Sequence, residues 1–95
     1  MEKEILNNVP EQFKFLLANG KALNSITELY KELEYMDEET FCYHVNESKN
    51  DFYNWIRDVY GDKHLADDLL DCSTKEAVKF CLADHLEKAK DSKGF

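Results

Sequence analysis

Apolar positions between residues 25 and 90 recur at intervals of three and four residues, which places each set on one face of an α-helix. Five sets follow this rule, in chain order: Ile26, Leu29, Tyr30, Leu33 and Met36; Phe41, Cys42 and Val45; Phe52, Trp55, Ile56 and Val59; Leu65, Ala66 and Leu69; and Val78, Cys81, Leu82, His85, Leu86 and Ala89. The pattern therefore predicts five short helices, each with one buried face.

Polar residues at the boundaries of these segments support the helices. Ser25 with Glu28 and Ser73 with Glu76 have the spacing of a capping box, in which each side chain accepts a hydrogen bond from the backbone amide of the other residue. The other candidate caps are Asp37, Asn50 or Asp51, and Asp62 at N-termini, and Gly61 at the end of the third helix.

Residues 12–23 have a pattern that fits two structures. Apolar side chains fall at every second position from Phe13 to Leu17, and Asn19-Gly20 follows, which predicts a β-hairpin with a type I′ turn. The alternative is a short helix that Pro10 opens and Gly20 closes. We favour the hairpin, which must pack on the helices or pair with another chain because an isolated hairpin is marginal in water.

The elements together predict a mainly α protein, a compact bundle of about five short helices preceded by a small N-terminal β-hairpin. Ninety-five residues are enough for one domain, 1–95, and we expect residues 1–9 and 91–95 to be frayed tails. The third helix is the centre of the bundle, since it carries the only tryptophan of the chain, Trp55.

The charge of the chain excludes several classes of partner. Twelve Lys and Arg against twenty Asp and Glu give a net charge of −8, which repels phosphate backbones and anionic membrane surfaces. The longest apolar runs, such as residues 15–18, are too short to span a bilayer. We therefore expect no nucleic acid and no membrane as partner, and a protein partner would have a basic surface.

The cysteines and histidines are the candidate metal ligands. Cys81 and His85 lie four residues apart on one helix face, and Cys42 or His44 could contribute further ligands. No spacing matches a zinc motif, so we predict no metal and no cofactor, and we favour buried thiols and a histidine at the core edge. Three cysteines without an export signal are typical of free thiols in a cytoplasmic protein.

The chain contains no catalytic signature, since it has three glycines, no phosphate-binding loop and no nucleophile elbow. We therefore predict that it is not an enzyme. The candidate interaction patch comprises Tyr53, Arg57, Asp58 and Tyr60, outside the apolar face of the third helix, because Tyr and Arg are enriched at protein interfaces. The alternative is that both tyrosines complete the core.

Several stretches between about residues 13 and 70 resemble a known family. His44-Val45, residues 50–62 with their Asp-Phe-x-x-Trp-Ile-x-Asp-Val core, and Leu65-Ala66 resemble small prokaryotic, largely archaeal, helical domains of unknown function, and residues 13–29 resemble the N-terminal half of that family. The resemblance implies an accessory or regulatory part, because such domains also occur attached to larger proteins. It singles out the polar set His44, Asp51, Arg57, Asp58 and Asp62, and implies no catalytic residue.

These observations lead to two hypotheses of function. The first is a small acidic, non-enzymatic module for protein interaction or regulation. The alternative is a domain that binds a metal or a small ligand with Cys81 and His85. The pattern leaves open whether the chain is a monomer or a homodimer.

Overall fold

Five α-helices and a two-stranded hairpin make up the part of the chain that the computed structural model describes, the backbone of residues 6–92 with the side chains of residues 6–90. This confirms the predicted mainly α bundle with an N-terminal hairpin. The elements are a 3₁₀ turn (Glu11–Phe13), strands β1 (Phe15–Leu16) and β2 (Ala22–Leu23), and helices α1 (Ile26–Leu33), α2 (Glu38–His44), α3 (Asp51–Trp55), α4 (Lys63–Leu70) and α5 (Lys75–Ser92).

The hairpin is the predicted structure, but its turn differs from the prediction. The strands are antiparallel, with Phe15 opposite Leu23. Leu17 accepts a hydrogen bond from the Gly20 amide at 2.9 Å and donates one to the Lys21 carbonyl at 2.8 Å. Only Gly20 has a positive φ here, 97°, so the two-residue type I′ turn is wrong and a three-residue loop with glycine in the left-handed position takes its place.

The segment before the hairpin packs against the bundle. Val9 is buried, and its amide donates to the Asn24 carbonyl at 2.8 Å. The expectation that residues 1–9 are frayed is therefore wrong at Val9, while residues 1–5 lie outside the described residues. At the other end, α5 continues to Ser92, so the expected tail does not begin at residue 91, and residues 93–95 are not described either.

A side chain caps the N-terminus of each of the five described α-helices. The hydrogen bonds differ from the two predicted capping boxes in two respects. Ser25 Oγ accepts from the Glu28 amide at 3.0 Å, but the Glu28 carboxylate accepts from the amide of Asn24 instead of Ser25. At α5 the cap is Thr74, whose Oγ1 accepts from the Ala77 amide at 3.1 Å, so the predicted box at Ser73 is displaced by one residue. The caps of the other helices are Asp37, Asn50 and Asp62.

The central helix contains a π-helical turn that its sequence pattern did not predict. After α3 the chain continues through Ile56–Tyr60 with a wider turn, and the Gly61 amide donates to the Ile56 carbonyl five residues back at 3.1 Å. Gly61 then closes the segment with a φ of 71°, as expected. Because the wider turn takes an extra residue, Tyr60 points into the core and Val59 is only half-buried.

One core joins the hairpin to the helices. Its largest fully buried side chains are Tyr60, Phe41, Phe52, Ile26, Leu29, Leu33, Met36, Ile56, Leu65, Leu69, Leu82 and Val78. Helix α5 packs against both α1 and α4, and α4 packs against α3. No helix among the described residues has both the length and the apolar composition needed to cross a membrane.

Candidate functional site

Tyr60 belongs to the core and not to the predicted interaction patch. Its side chain is fully buried, and its hydroxyl donates to the Asn7 carbonyl at 3.0 Å while accepting from the Ile26 amide at 3.2 Å. Burial raises the pKa of Tyr60 to about 12. The prediction that placed Tyr60 on the outer surface is therefore wrong, and the alternative of a core tyrosine is correct at this position.

The other three patch residues lie together on the surface, and we call Tyr53, Arg57 and Asp58 the arginine patch. The Arg57 guanidinium lies over the Tyr53 ring, 5.0 Å from its centroid. Its Nε and Nη2 atoms donate to Asp58 Oδ1 and Oδ2 at 2.8 and 3.2 Å. Arg57 and Asp58 are exposed, and Tyr53 is half-buried against the core.

The contacts of the arginine patch fix its charge state. The hydrogen bonds to Asp58, and then the contact with Tyr53, raise the pKa of Arg57 above its usual value. The hydrogen bond from Arg57 lowers the pKa of Asp58. At neutral pH the arginine is therefore protonated and the carboxylate ionised, which makes Arg57 a weak acid and Asp58 a weak base. The patch thus presents an oriented pair of opposite charges at the surface.

Two members of the polar set from the family resemblance contact each other, with His44 buried and Asp51 half-buried beside it. His44 Nδ1 and Asp51 Oδ2 are 2.9 Å apart, and His44 Nε2 accepts from the Ala18 amide at 3.0 Å. Lys49 Nζ also donates to Asp51 Oδ2, at 2.9 Å. Together these bonds attach the hairpin turn to the adjacent ends of α2 and α3, which is a structural role.

Cys42 and Cys81 occupy different environments. Cys42 is exposed on α2, so the prediction that it faces inward is wrong, while Cys72 and Cys81 are half-buried. Burial raises the pKa of the Cys81 thiol to about 12 and raises the pKa of Cys72 as well. A raised pKa keeps both groups as thiols, the less nucleophilic form.

His85 meets different partners from those that the sequence pattern suggested. Its Nε2 atom lies 2.8 Å from Asp68 Oδ2, and His64 Nε2 lies 4.0 Å from the same oxygen. The hydrogen bond with His85 lowers the pKa of Asp68. Among the described side chains, these three are the group with metal-ligand geometry, and it includes neither the predicted candidates Cys42 and Cys81 nor His44. The available signal was the four-residue spacing of His64 and Asp68 on α4.

An open groove of about 500 Å³ lies between α1 and α5 and is separate from all of these residues. Its lining is Thr27, Tyr30, Lys31, Ala83, Leu86, Glu87 and Lys90. The lining has no histidine and no cysteine, and the described contacts include no hydrogen bond between two of its titratable side chains. The arginine patch and the group of His64, Asp68 and His85 are the two candidate sites.

Comparison with known proteins adds no assignment. No protein-family model, no curated protein and no solved structure matches this chain significantly, so the family resemblance of residues 13–70 stays a prediction.

Proposed function

We propose that the chain is a small acidic, non-enzymatic interaction module that binds a partner protein with a basic surface through the arginine patch. The observation that carries the proposal is the fixed position of an exposed guanidinium, which Tyr53 holds from one side and Asp58 from another. Arg57 makes these contacts on the surface, where they contribute little to the stability of the fold.

A guanidinium that is already oriented is favourable for binding. Side chains that must be immobilised at an interface each cost about 0.5–1.5 kcal/mol in lost rotamer freedom, and Arg57 has lost part of that freedom before a partner arrives. Tyrosine and arginine are also the residues whose truncation most often weakens a protein interface. Both arguments support the patch as the central contact.

The distribution of charge supports a basic partner. Most lysines of the described chain lie in ion pairs with carboxylates, which are Lys14–Glu11, Lys21–Glu32, Lys49–Asp51, Lys75–Glu38, Lys79–Glu34 and Lys88–Asp84. The net negative charge of the chain is therefore carried at the surface by the remaining exposed carboxylates, such as Asp67 on α4 and Asp71 directly after it. These carboxylates, and not Arg57 itself, attract a basic partner and increase the rate of association at low salt.

The family resemblance is consistent with the same proposal. If the chain is related to those small helical domains, an accessory or regulatory part alongside other proteins is the role that the resemblance implies. A cytoplasmic location also follows from the proposal that all three cysteines act as free thiols.

Affinity capture with matched variants tests the proposal. Wild type, Arg57→Ala, Tyr53→Ala/Arg57→Ala and the control Lys31→Ala/Tyr35→Ala are immobilised, incubated with lysate at low and at moderate salt, and compared by mass spectrometry. The control also removes one exposed cation and one tyrosine, from a different surface.

We expect a specific partner to be retained by wild type and by the control and lost by both patch variants, with more retained at low salt. Urea unfolding should show that Arg57→Ala is as stable as wild type, so loss of the partner reports on binding. Equal retention by Arg57→Ala and wild type would refute the role of the patch. Failure to capture any specific partner would refute the proposed function.

A further inference from the structure

We propose that His64, Asp68 and His85 form a binding site for a divalent transition-metal ion, of the kind that zinc and cobalt represent. One nitrogen from each histidine and one carboxylate oxygen lie within 4.8 Å of one another. Two imidazoles and a carboxylate are a ligand set that occurs in open zinc sites, where water takes the remaining position. The proposal does not depend on the protein-interaction function.

The helices bring the three ligands together from two directions. His64 and Asp68 are four residues apart on α4 and therefore project from the same side of that helix. His85 comes from α5, which packs against α4, and Leu65 and Leu69 of α4 and Leu82 of α5 are all buried in the common core. The ligand positions are thus set by a rigid helix–helix contact and not by a loop.

The distances are close to those that a metal ion requires. In a tetrahedral site with zinc–ligand bonds of about 2.0–2.1 Å, neighbouring ligand atoms are separated by roughly 3.3 Å. The His85–Asp68 distance of 2.8 Å is shorter than this and the His64–Asp68 distance of 4.0 Å is longer. Because the His64 side chain is exposed, we expect it to be free to rotate toward Asp68 and shorten the longer distance.

A structural hydrogen bond alone does not account for the whole arrangement. The bond between His85 and Asp68 explains two of the residues, but His64 is 84% exposed and still lies with its ring centroid 5.3 Å from the His85 ring. Metal binding uses all three. It requires that His85 Nε2 gives up its hydrogen, which the neutral imidazole does by carrying the hydrogen on Nδ1 instead.

The chemistry of the ligands selects the class of ion. Imidazole nitrogen favours zinc, copper, nickel and cobalt, whereas calcium and magnesium prefer sites made of oxygen ligands. The exposed carboxylates of Asp67 and Asp84 lie in the same two helices and favour cations in general, but they do not provide this selectivity. The open position and the solvent-exposed edge give the ion a direct route of entry.

Metal titration of untagged protein tests the site. The chain is dialysed against a chelator and then titrated with Zn²⁺ by calorimetry and with Co²⁺ by visible absorption, in wild type, His64→Ala, Asp68→Asn and His85→Ala. The matched control is Asp67→Asn, which removes the same charge from the neighbouring position of α4. Assignment is simplified by the presence of only three histidines, of which His44 is buried with both nitrogens engaged.

We expect one equivalent of Zn²⁺ and of Co²⁺ to bind to wild type and to Asp67→Asn, with at least about tenfold weaker binding in each ligand variant. An excess of Mg²⁺ should not displace either ion. His64→Ala keeps the test decisive if His85→Ala fails to fold, because His64 is exposed. Absence of Zn²⁺ binding to wild type, wild-type affinity in His64→Ala, or equal weakening in Asp67→Asn and Asp68→Asn would each overturn the site.

Discussion

His44 donates a hydrogen bond from Nδ1 to Oδ2 of Asp51 at 2.9 Å, which joins the last residue of α2 to the first residue of α3. The donor is Nδ1 because Nε2 accepts from the Ala18 amide and must therefore be unprotonated. A single neutral imidazole thus connects the hairpin turn, α2 and α3. The tautomer follows from the partners of the ring.

Replacement of His44 should destabilise the fold. In His44→Phe the aromatic volume is kept, but the Ala18 amide and the Asp51 carboxylate each lose a partner, so we expect a loss of about 2 kcal/mol in the free energy of unfolding. Urea denaturation measures this. The control is the same substitution at the exposed His64, which should change stability much less. Equal losses in the two variants would contradict the assigned role of His44.

Asp51 should make the stability of the protein decrease in acid. Burial alone would raise the pKa of Asp51, but hydrogen bonds from Lys49 and His44 outweigh it and the pKa lies below the usual value. The unfolded chain therefore takes up a proton at a higher pH than the native protein does. The contribution is complete above the pKa of the unfolded state, about 4, and is lost as the pH falls through the lower native pKa.

Comparison with Asp51→Asn isolates this contribution. The difference in free energy of unfolding between wild type and Asp51→Asn should be largest at neutral pH and should shrink as the pH is lowered below about 4. Urea titrations at several pH values measure it. A difference that stays constant down to pH 2 would show that the carboxylate charge is not responsible.

The sequence pattern was sufficient for the helices and the hairpin because their signals are local. Caps such as Asp37 and Asp62 and the apolar spacing of α1 and α4 depend only on neighbouring residues. The π-helical turn was not predictable in this way, since a regular period of 3.6 residues puts Val59 inward and Tyr60 outward. The wider turn places Tyr60 inside, where its hydroxyl bonds to Asn7 and Ile26, which are distant in sequence.

The same limit applies to the candidate sites. The arginine patch was predictable from one helix, because Tyr53 and Arg57 are four residues apart. The position of His85 beside His64 and Asp68 depends on how α4 and α5 pack, and no spacing within either helix contains that information. Contacts between elements that are separated in sequence are therefore the part of the site that the structure adds.

Removal of the Tyr60 hydroxyl tests its role in the core. Tyr60→Phe keeps the ring but leaves the Ile26 amide and the Asn7 carbonyl without their partner, so we expect a loss of about 1–2 kcal/mol in the free energy of unfolding. Tyr35→Phe is the control, since that side chain is 81% exposed. A stability of Tyr60→Phe equal to that of the control would contradict the hydrogen-bonded arrangement.

Alkaline pH should act on the same hydroxyl. Because the pKa of Tyr60 is raised to about 12 in the native protein, against 10.0 for an unperturbed tyrosine, the unfolded chain loses the proton first. The contribution of the neutral phenol is complete below pH 10 and is lost as the pH rises toward 12. Ultraviolet titration at 295 nm should show one tyrosine that ionises later than the others in wild type, and its absence in Tyr60→Phe.

The three thiols should react at different rates with a disulfide reagent. Cys42 is exposed, whereas Cys72 and Cys81 are half-buried and have raised pKa values, so fewer of their thiols are ionised at pH 8. Native protein should therefore release one equivalent of chromophore rapidly and two slowly, and Cys42→Ser should lose the rapid phase. Cys81→Ser is the control and should keep it. A rapid phase that survives in Cys42→Ser would show that Cys72 or Cys81 is the accessible thiol. This result would contradict the outward orientation of Cys42.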